Sequence, residues 1–236
     1  MMPRRNVGEQ GEDSIRNLIL NGDGSALGLN SPIVNHPQFH HDRPNPNNWK
    51  SDVGFIHEND TWFSSVKDFT GAPPTLMNHT HRDARVFLPG GPLHDILPHL
   101  DILAAEYVRR RRDDDMGEDV RLVDRFECMS EPDVREAIIQ LLLYFTFAGS
   151  GRGPSPMAAN SMIVRERNGS IHFHRCTTDE EKRTYITSIL HRIKISFRNK
   201  GMPRNPTDVH EPWIFREERP DGTVRVKGSM HLRFYT

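Results

Sequence analysis

"KSDVGFIHENDTWFSSVKDF" fills residues 50–69. Two runs rich in β-branched and aromatic residues flank the polar "HEND", so the stretch reads as strand, turn, strand. Asp52 opens the first strand and Lys67 lies near the end of the second. Ser65 and Lys67 are two residues apart, so a strand points both to one face. Val66 points to the other face, toward a core, while its carbonyl stays available to a ligand. The pattern is S-D, twelve residues, then S-x-K.

A carboxylate and a lysine brought together on neighbouring strands suit phosphodiester hydrolysis. A divalent cation beside the phosphate stabilises charge on the phosphorane-like state and helps form hydroxide. A hard cation such as Mg2+ takes carboxylate and carbonyl oxygens. A nearby lysine orients the attacking water. Such chemistry leads one to expect a second carboxylate two residues before the lysine, and Ser65 stands there instead. A lone D…SxK pair also occurs in ordinary surface hairpins, so its neighbours matter. Glu12 lies upstream on a helical stretch, where it can approach the same cation. The chain has 25 Arg but six Lys, and spends two of those six on Lys50 and Lys67.

Charge is unevenly spread. Residues 1–150 carry 15 Lys/Arg against 23 Asp/Glu, and residues 151–236 carry 16 against 9. A polyanion can dock on the second part while the first supplies metal-binding acids. Hydrophobic residues make up 35% of the 236 and charged residues 27%, which indicates a soluble globular chain with ample length for a core. The longest apolar run, "AIIQLLLYFTFAG", suits a core helix better than a membrane span. The first residues show no apolar leader, and Cys128 and Cys176 have no C-x-x-C spacing. Both point to reduced thiols and a cytoplasmic location.

Along the chain, "GEQGEDSIRNLIL" reads as an amphipathic helix with Ile15, Leu18 and Ile19 on one face and Glu9 and Glu12 on another. Residues 21–49 read as a long loop, as does "GAPPTLMNHTHRDARVFLPGGP". "LHDILPHLDILAAEYVRRRR" reads as a helix. "SEPDVREAIIQLLLYFTFAG" reads as another, capped by Ser130 with Pro132 in its first turn. "GSGRGPSP" is a tight loop, and "NSMIVRERNGSIHFHRC" a hairpin on an Asn-Gly turn. "TTDEEKRTYITSILHRIKISFRNKG" reads as one capped helix ending at Gly201. The last stretch is a hairpin turning at Asp221-Gly222, followed by a strand. The sum is one continuous α+β domain over residues 1–236.

The 50–69 hairpin resembles the PD-(D/E)xK nuclease core, in particular the small type II restriction endonucleases that cut GC-rich four-base palindromes such as GCGC and CCGG. Members show S-D or T-D followed by an x-K motif whose first position is Gln or Asn rather than an acid. Ser65 is neutral too, but departs from Gln/Asn. "VGEQGEDSIRNLI" is similar to the family's first helix, with Glu12 on its acidic position. "EPDVREAIIQLLLYFTFAGSGRGPSPMAANSMIVRER" is similar to a long helix, a G-R-G turn and a strand. "RVKGSMHLRFYT" is similar to a C-terminal strand from a DNA-reading region. Together these touch about half the chain, in the family's order.

The resemblance implies a central mixed sheet flanked by helices, and Mg2+-dependent, site-specific cleavage of double-stranded DNA by a monomer or homodimer. Residues 1–150 become mainly the catalytic core and 151–236 mainly a basic DNA-recognition part. Asp52 becomes the principal metal ligand, with the Val66 carbonyl beside it and Glu12 as a further acid. Lys67 becomes the catalytic lysine, and Ser65 a hydrogen-bond partner of metal-bound water. Arg152, Arg225, Lys227, Arg233 and Lys50 are the expected DNA contacts, arginine being the best fork for guanine. Leu76 or Met77 offers a wedge between base steps, although a core role suits both. Two rival readings share the fold: a repair or junction nuclease, and a DNA-binding module weakened in catalysis by Ser65.

The histidines invite a zinc reading. His36, His40 and His41, His79 and His81, and His172 and His174 lie close in sequence, but in no C-x-x-C or H-E-x-x-H context. His172 and His174 alternate on a strand and share a face, and a polar, DNA-facing strand accounts for them without metal.

Overall fold

The computed structural model describes residues 7–30, 32–40, 45–46, 48–201 and 211–235. His41 and the Glu9 side chain lie outside the described parts. Helix α1 (Val7–Leu20) buries Ile15 and Ile19, with Leu18 partly covered, as its apolar spacing predicts. Residues 21–49 are not structureless. A short 3-10 turn at Ser25–Leu27 leads to strand β1 (Ile33–Asn35). Phe39 is buried against Gly54, where any side chain would collide with its ring. A three-residue edge strand is too short for periodicity to reveal.

The 50–69 hairpin forms β2 (Val53–His57) and β3 (Asp60–Asp68), antiparallel and in register Val53 to Ser64. The following segment, read as loop, contains β4 (Thr75–Thr80). Its Leu76 and Met77 are buried in the core, which removes them as base wedges. Helix α2 (Leu97–Arg112) starts beside Pro98 and precedes β5 (Val120–Arg121) and the single turn α3 (Leu122–Arg125). Helix α4 (Pro132–Leu143) has Glu131, not Ser130, at its cap position. The Ser130 hydroxyl is used in the preceding 3-10 turn, donating to the Glu127 carbonyl at 2.7 Å.

A π-helical turn at Tyr144–Ala148 leads into β6 (Gly149–Ser150) and β7 (Gly153–Pro154), with Arg152 at their tip. Strands β8 (Ser161–Arg165) and β9 (Ile171–Arg175) follow as the expected hairpin. Helix α5 (Asp179–Ile189) has a Thr178/Glu181 capping box, as its sequence suggests. It stops twelve residues short of Gly201, because "IKISFR" becomes β10 (Ile193–Arg198). Ile193, Ile195 and Phe197 are all fully buried, a period of two that belongs to a strand. Strands β11 (Phe215–Glu218), β12 (Val224–Lys227) and β13 (Ser229–Phe234) close the chain.

The larger sheet runs β1-β2-β3-β8-β9 and the second runs β4-β13-β10-β5. Only the β3–β8 junction of the larger sheet is parallel. Strand β3 comes from the acidic first part of the chain and β8 from the basic second part, and β4 and β13 join the same two parts again. Helix α1 covers one face of the larger sheet over a small core that includes Val53, Phe55, Val66 and Ile163. On the other face Met162 and Val164 join a larger core with α2, α4, α5 and the second sheet. No helix among the described residues is long and apolar enough to cross a membrane.

Gly11 sets how closely α1 approaches β3. A Cβ there would lie 2.2 Å from Asp68 Oδ2 and 2.5 Å from Asp68 Cβ. Asp68 is buried, and Thr70 donates to its Oδ1 from both its N–H and its hydroxyl, so it has little room to yield. Gly11→Ala gains about 1 kcal/mol in helix propensity and loses about 1–3 kcal/mol to overpacking. The expected outcome is net destabilisation in urea unfolding; a variant more stable than the parent would show that α1 packs differently.

Candidate active site

The end of β3 extends past the start of β2, and Asp52 fills the notch. The Asp52 amide donates to the Ser64 carbonyl at 2.9 Å. In an antiparallel ladder, alternate residues turn both backbone groups toward the same neighbour. Ser64 therefore faces β2, and so does Val66, at a level where β2 has not yet begun. The Val66 N–H donates instead to Asp52 Oδ2 at 2.7 Å, and the Ser65 hydroxyl donates to the same oxygen at 3.2 Å. The Val66 carbonyl points toward the same notch as the carboxylate. The Asp52 carbonyl is held in turn by Asn45 Nδ2 at 2.7 Å and Arg16 Nη2 at 3.4 Å.

The face of the sheet now separates the groups as their spacing predicts. The Val66 side chain enters the small core, while Ser65 and Lys67 point to the opposite face. Lys67 is 9% exposed and has no hydrogen-bond or ion-pair partner among the described residues. Lys50 stands within electrostatic reach of it: burial, then the charge of Lys67, push its ammonium down to about 8, against the opposing pull of Asp52. Two lysines and one carboxylate leave local positive charge, which an anion would neutralise.

Helix α1 runs with Gly11 near Asp68 and Arg16 near Asp52, so Glu12 lies toward the end of the sheet that carries this notch. The α1 side chain that reaches Asp52 is Arg16. Among the described residues, no group of three His, Cys, Asp or Glu side chains could hold a metal ion. The notch thus offers one carboxylate, one carbonyl and one hydroxyl. These are oxygen donors, suited to a hard cation and unsuited to a soft one. Asn45 and Arg16 are the site residues that sequence reasoning missed. Asn45 sits in a stretch without periodicity, and Arg16 reads as a solvated helix charge.

The expected DNA contacts separate. Arg152 is exposed at its turn. Arg225 is half-buried beside Asn199, 3.4 Å away. Arg233 lies 4.0 Å from Asp119 on the second sheet, opposite Lys194. Lys227 is withdrawn from any DNA surface: it is 1% exposed and bonded to Glu118 and Glu217, each at 3.1 Å. His172 and His174 do share a face, but it is turned toward α5. The His174 ring packs on Tyr185 at 5.0 Å, and the pair lines a cavity of about 310 Å³ with Glu166, His191 and Arg192. His172 is exposed and His174 half-buried at the mouth of this cavity. His79 and His231 stack at 4.9 Å on the second sheet, a pairing invisible in sequence.

No family model, curated protein or solved structure matches the chain.

Two outcomes follow from the charges. Lys227→Ala removes a buried ammonium shared by the Glu118 and Glu217 carboxylates, Glu217 keeping Arg111 at 3.1 Å, and should cost about 1–3 kcal/mol, read by denaturant unfolding, whereas Arg152→Ala should leave stability unchanged. Burial first, then Arg233, His79 and Arg198, push His231 down to about 4, with Asp119 opposing. An unfolded histidine titrates near pH 6.5, so the unfolded chain binds the extra proton first as the pH drops. The contribution of neutral His231 is complete above about pH 6.5 and is lost as the pH falls toward about 4. His231→Gln should flatten that acid limb of the stability curve; an unaltered limb would refute the assignment.

Proposed function

We propose that this protein is a site-specific endonuclease of the PD-(D/E)xK type, hydrolysing double-stranded DNA with Mg2+ at a short, GC-rich palindrome. One observation carries the reading. The Asp52 carboxylate is fixed by the Val66 N–H and the Ser65 hydroxyl at the end of β3, while Lys67, on the same face of that strand as Ser65, has no hydrogen-bond or ion-pair partner among the described residues. The ammonium donors of Lys67 are left available to a ligand that enters the notch. The order α1, β2, β3, α4, β8, with β2 antiparallel and β8 parallel to β3, supports the same reading, because it presents the S-D and S-x-K motifs at one end of a sheet.

Asp52 and the Val66 carbonyl are the groups that would hold the cation. When bound, Mg2+ supplies charge stabilisation at the phosphoryl oxygens and lowers the pKa of a water. Lys67 hydrogen-bonds and orients the attacking water. Lys50 and Lys67 together attract the scissile phosphate, whose negative charge stands in for the carboxylate that Ser65 lacks. Ser65 holds Asp52 and can reach a cation-bound water. Arg152 supplies a guanidinium for a guanine edge or a phosphate, and Arg225 and Arg233 add charge from the second part of the chain. Glu12 contributes a further acid at the rim.

The single carboxylate also favours a second reading, in which the chain grips DNA and does not cut it. Incubation of plasmid and phage DNA with Mg2+ separates the possibilities. Discrete fragments are expected; nicks confined to unusual structures would mean a repair or junction nuclease, and binding alone the non-cutting module. Asp52→Asn and Lys67→Ala should each lower cleavage by at least about a hundredfold. Calorimetry should find only weak Mg2+ binding to the free protein, so tight binding without DNA would contradict a one-carboxylate site. Cleavage that survives both substitutions would place the chemistry elsewhere.

A further inference from the structure

We propose that Ser155, acting with the Met157 carbonyl, is a positioning residue for Asp52. The contact lies more than a hundred residues away in sequence and belongs to neither motif of the hairpin. Ser155 Oγ accepts from the Lys50 N–H at 2.9 Å and from the Met157 N–H at 3.1 Å. The Met157 carbonyl accepts from the Lys50 N–H at 3.1 Å, the Ser51 N–H at 3.2 Å and the Ser51 hydroxyl at 3.2 Å. The short segment 155–157 therefore satisfies both backbone donors immediately before Asp52.

The segment is itself anchored on both sides. Ser155 donates its N–H to the Ala148 carbonyl at 2.8 Å, and Ala159 donates to the Phe147 carbonyl at 2.7 Å. Both carbonyls belong to the π-helical turn, whose Phe147 is in the large core. Residues 50–52, by contrast, precede β2, and their one ladder bond runs from Asp52 to Ser64. The bonds to Ser155 and Met157 hold that segment in place and keep the Asp52 carboxylate within reach of the Val66 amide. The same segment leaves the turn whose tip is Arg152, three residues before Ser155, so a substrate contact there and the geometry of Asp52 share one piece of backbone.

The chemical consequence rests on the nuclease reading; the positioning itself does not, and the test separates them. Full-length Ser155→Ala and Ser155→Thr are compared with the parent, Thr retaining an acceptor oxygen. Displacing a reacting group slightly costs rate rather than binding. Ser155→Ala should lower kcat on plasmid DNA roughly tenfold with KM little changed, and raise the Mg2+ concentration for half-maximal rate; Ser155→Thr should restore both. Independently of activity, Val66 amide exchange should quicken about tenfold in Ser155→Ala, with the rest of β3 and β8 unchanged. Ser51→Ala, which removes only the hydroxyl bond to Met157, should give a smaller shift of the same kind and serves if Ser155→Ala does not fold. Unchanged Val66 exchange, or exchange quickened uniformly across β3 and β8 with a lowered Tm, overturns the proposal. A parent protein that cuts no DNA while Val66 exchange responds as expected sinks the nuclease reading and leaves the positioning role standing.

Discussion

Parallel pairing of β3 with β8 is the constraint on which everything else hangs. It is the one parallel junction of the larger sheet, and it joins strands nearly a hundred residues apart. A parallel pair cannot close through a tight turn and needs a long crossover, here everything from β4 to β7, including α2 and α4. Its entrance is secured by polar contacts, the innermost shut off from water: Ser64 Oγ and Ser161 Oγ lie 2.6 Å apart, both residues fully buried. Asn160 accepts from the Phe63 N–H at 2.8 Å and donates to the Thr61 carbonyl at 3.0 Å. Since buried polar groups are costly without partners, these bonds fix the register. A slip of one residue would turn Lys67 into the small core and Val66 out of it.

With β3 held on its β8 side, its other side is free to serve the notch. Strand β2 begins at Val53, opposite Ser64, too late in the chain to satisfy Val66, and Asp52 supplies with its side chain the acceptor that the missing strand would have supplied. The carboxylate is thus held by the sheet's own hydrogen-bond grammar rather than by a dedicated binding loop. The same economy extends to Ser65. Its hydroxyl, which at first reads as the absence of an acid, becomes a donor to the one acid present.

Local signals carried much of this into the sequence. The hairpins at 50–69 and 161–175 were legible because alternation and turn residues agree over a dozen or more positions, and α1 and α5 because spacing and caps agree. Failures fell where local and long-range preferences conflict. "IKISFR" follows a strong helix without a breaker, and its short alternation marks a strand only once β13 and β5 pair with it. Strands β1 and β4 are short and set among Pro, Gly and His, and they gain their pairing from distant chain. In the site, Asp52, Ser65 and Lys67 share a face by the arithmetic of a strand. Lys227 could not be read correctly, because a buried lysine and an exposed one look alike until Glu118 and Glu217 arrive from elsewhere.

The two cores are unequal, and the imbalance has a dynamic consequence. The face under α1 is held by nine buried apolar residues among those described and by the close seat of Gly11 on Asp68, while the other face shares the core that most of the molecule builds. Regions with less buried contact open at lower free energy than the whole. Peeling α1 away would release Arg16 from the Asp52 carbonyl while α4, α5 and the second sheet stayed folded. The notch therefore lies at a seam between a thin, detachable layer and a thick, permanent one, and its geometry can loosen at temperatures that leave the bulk of the fold intact.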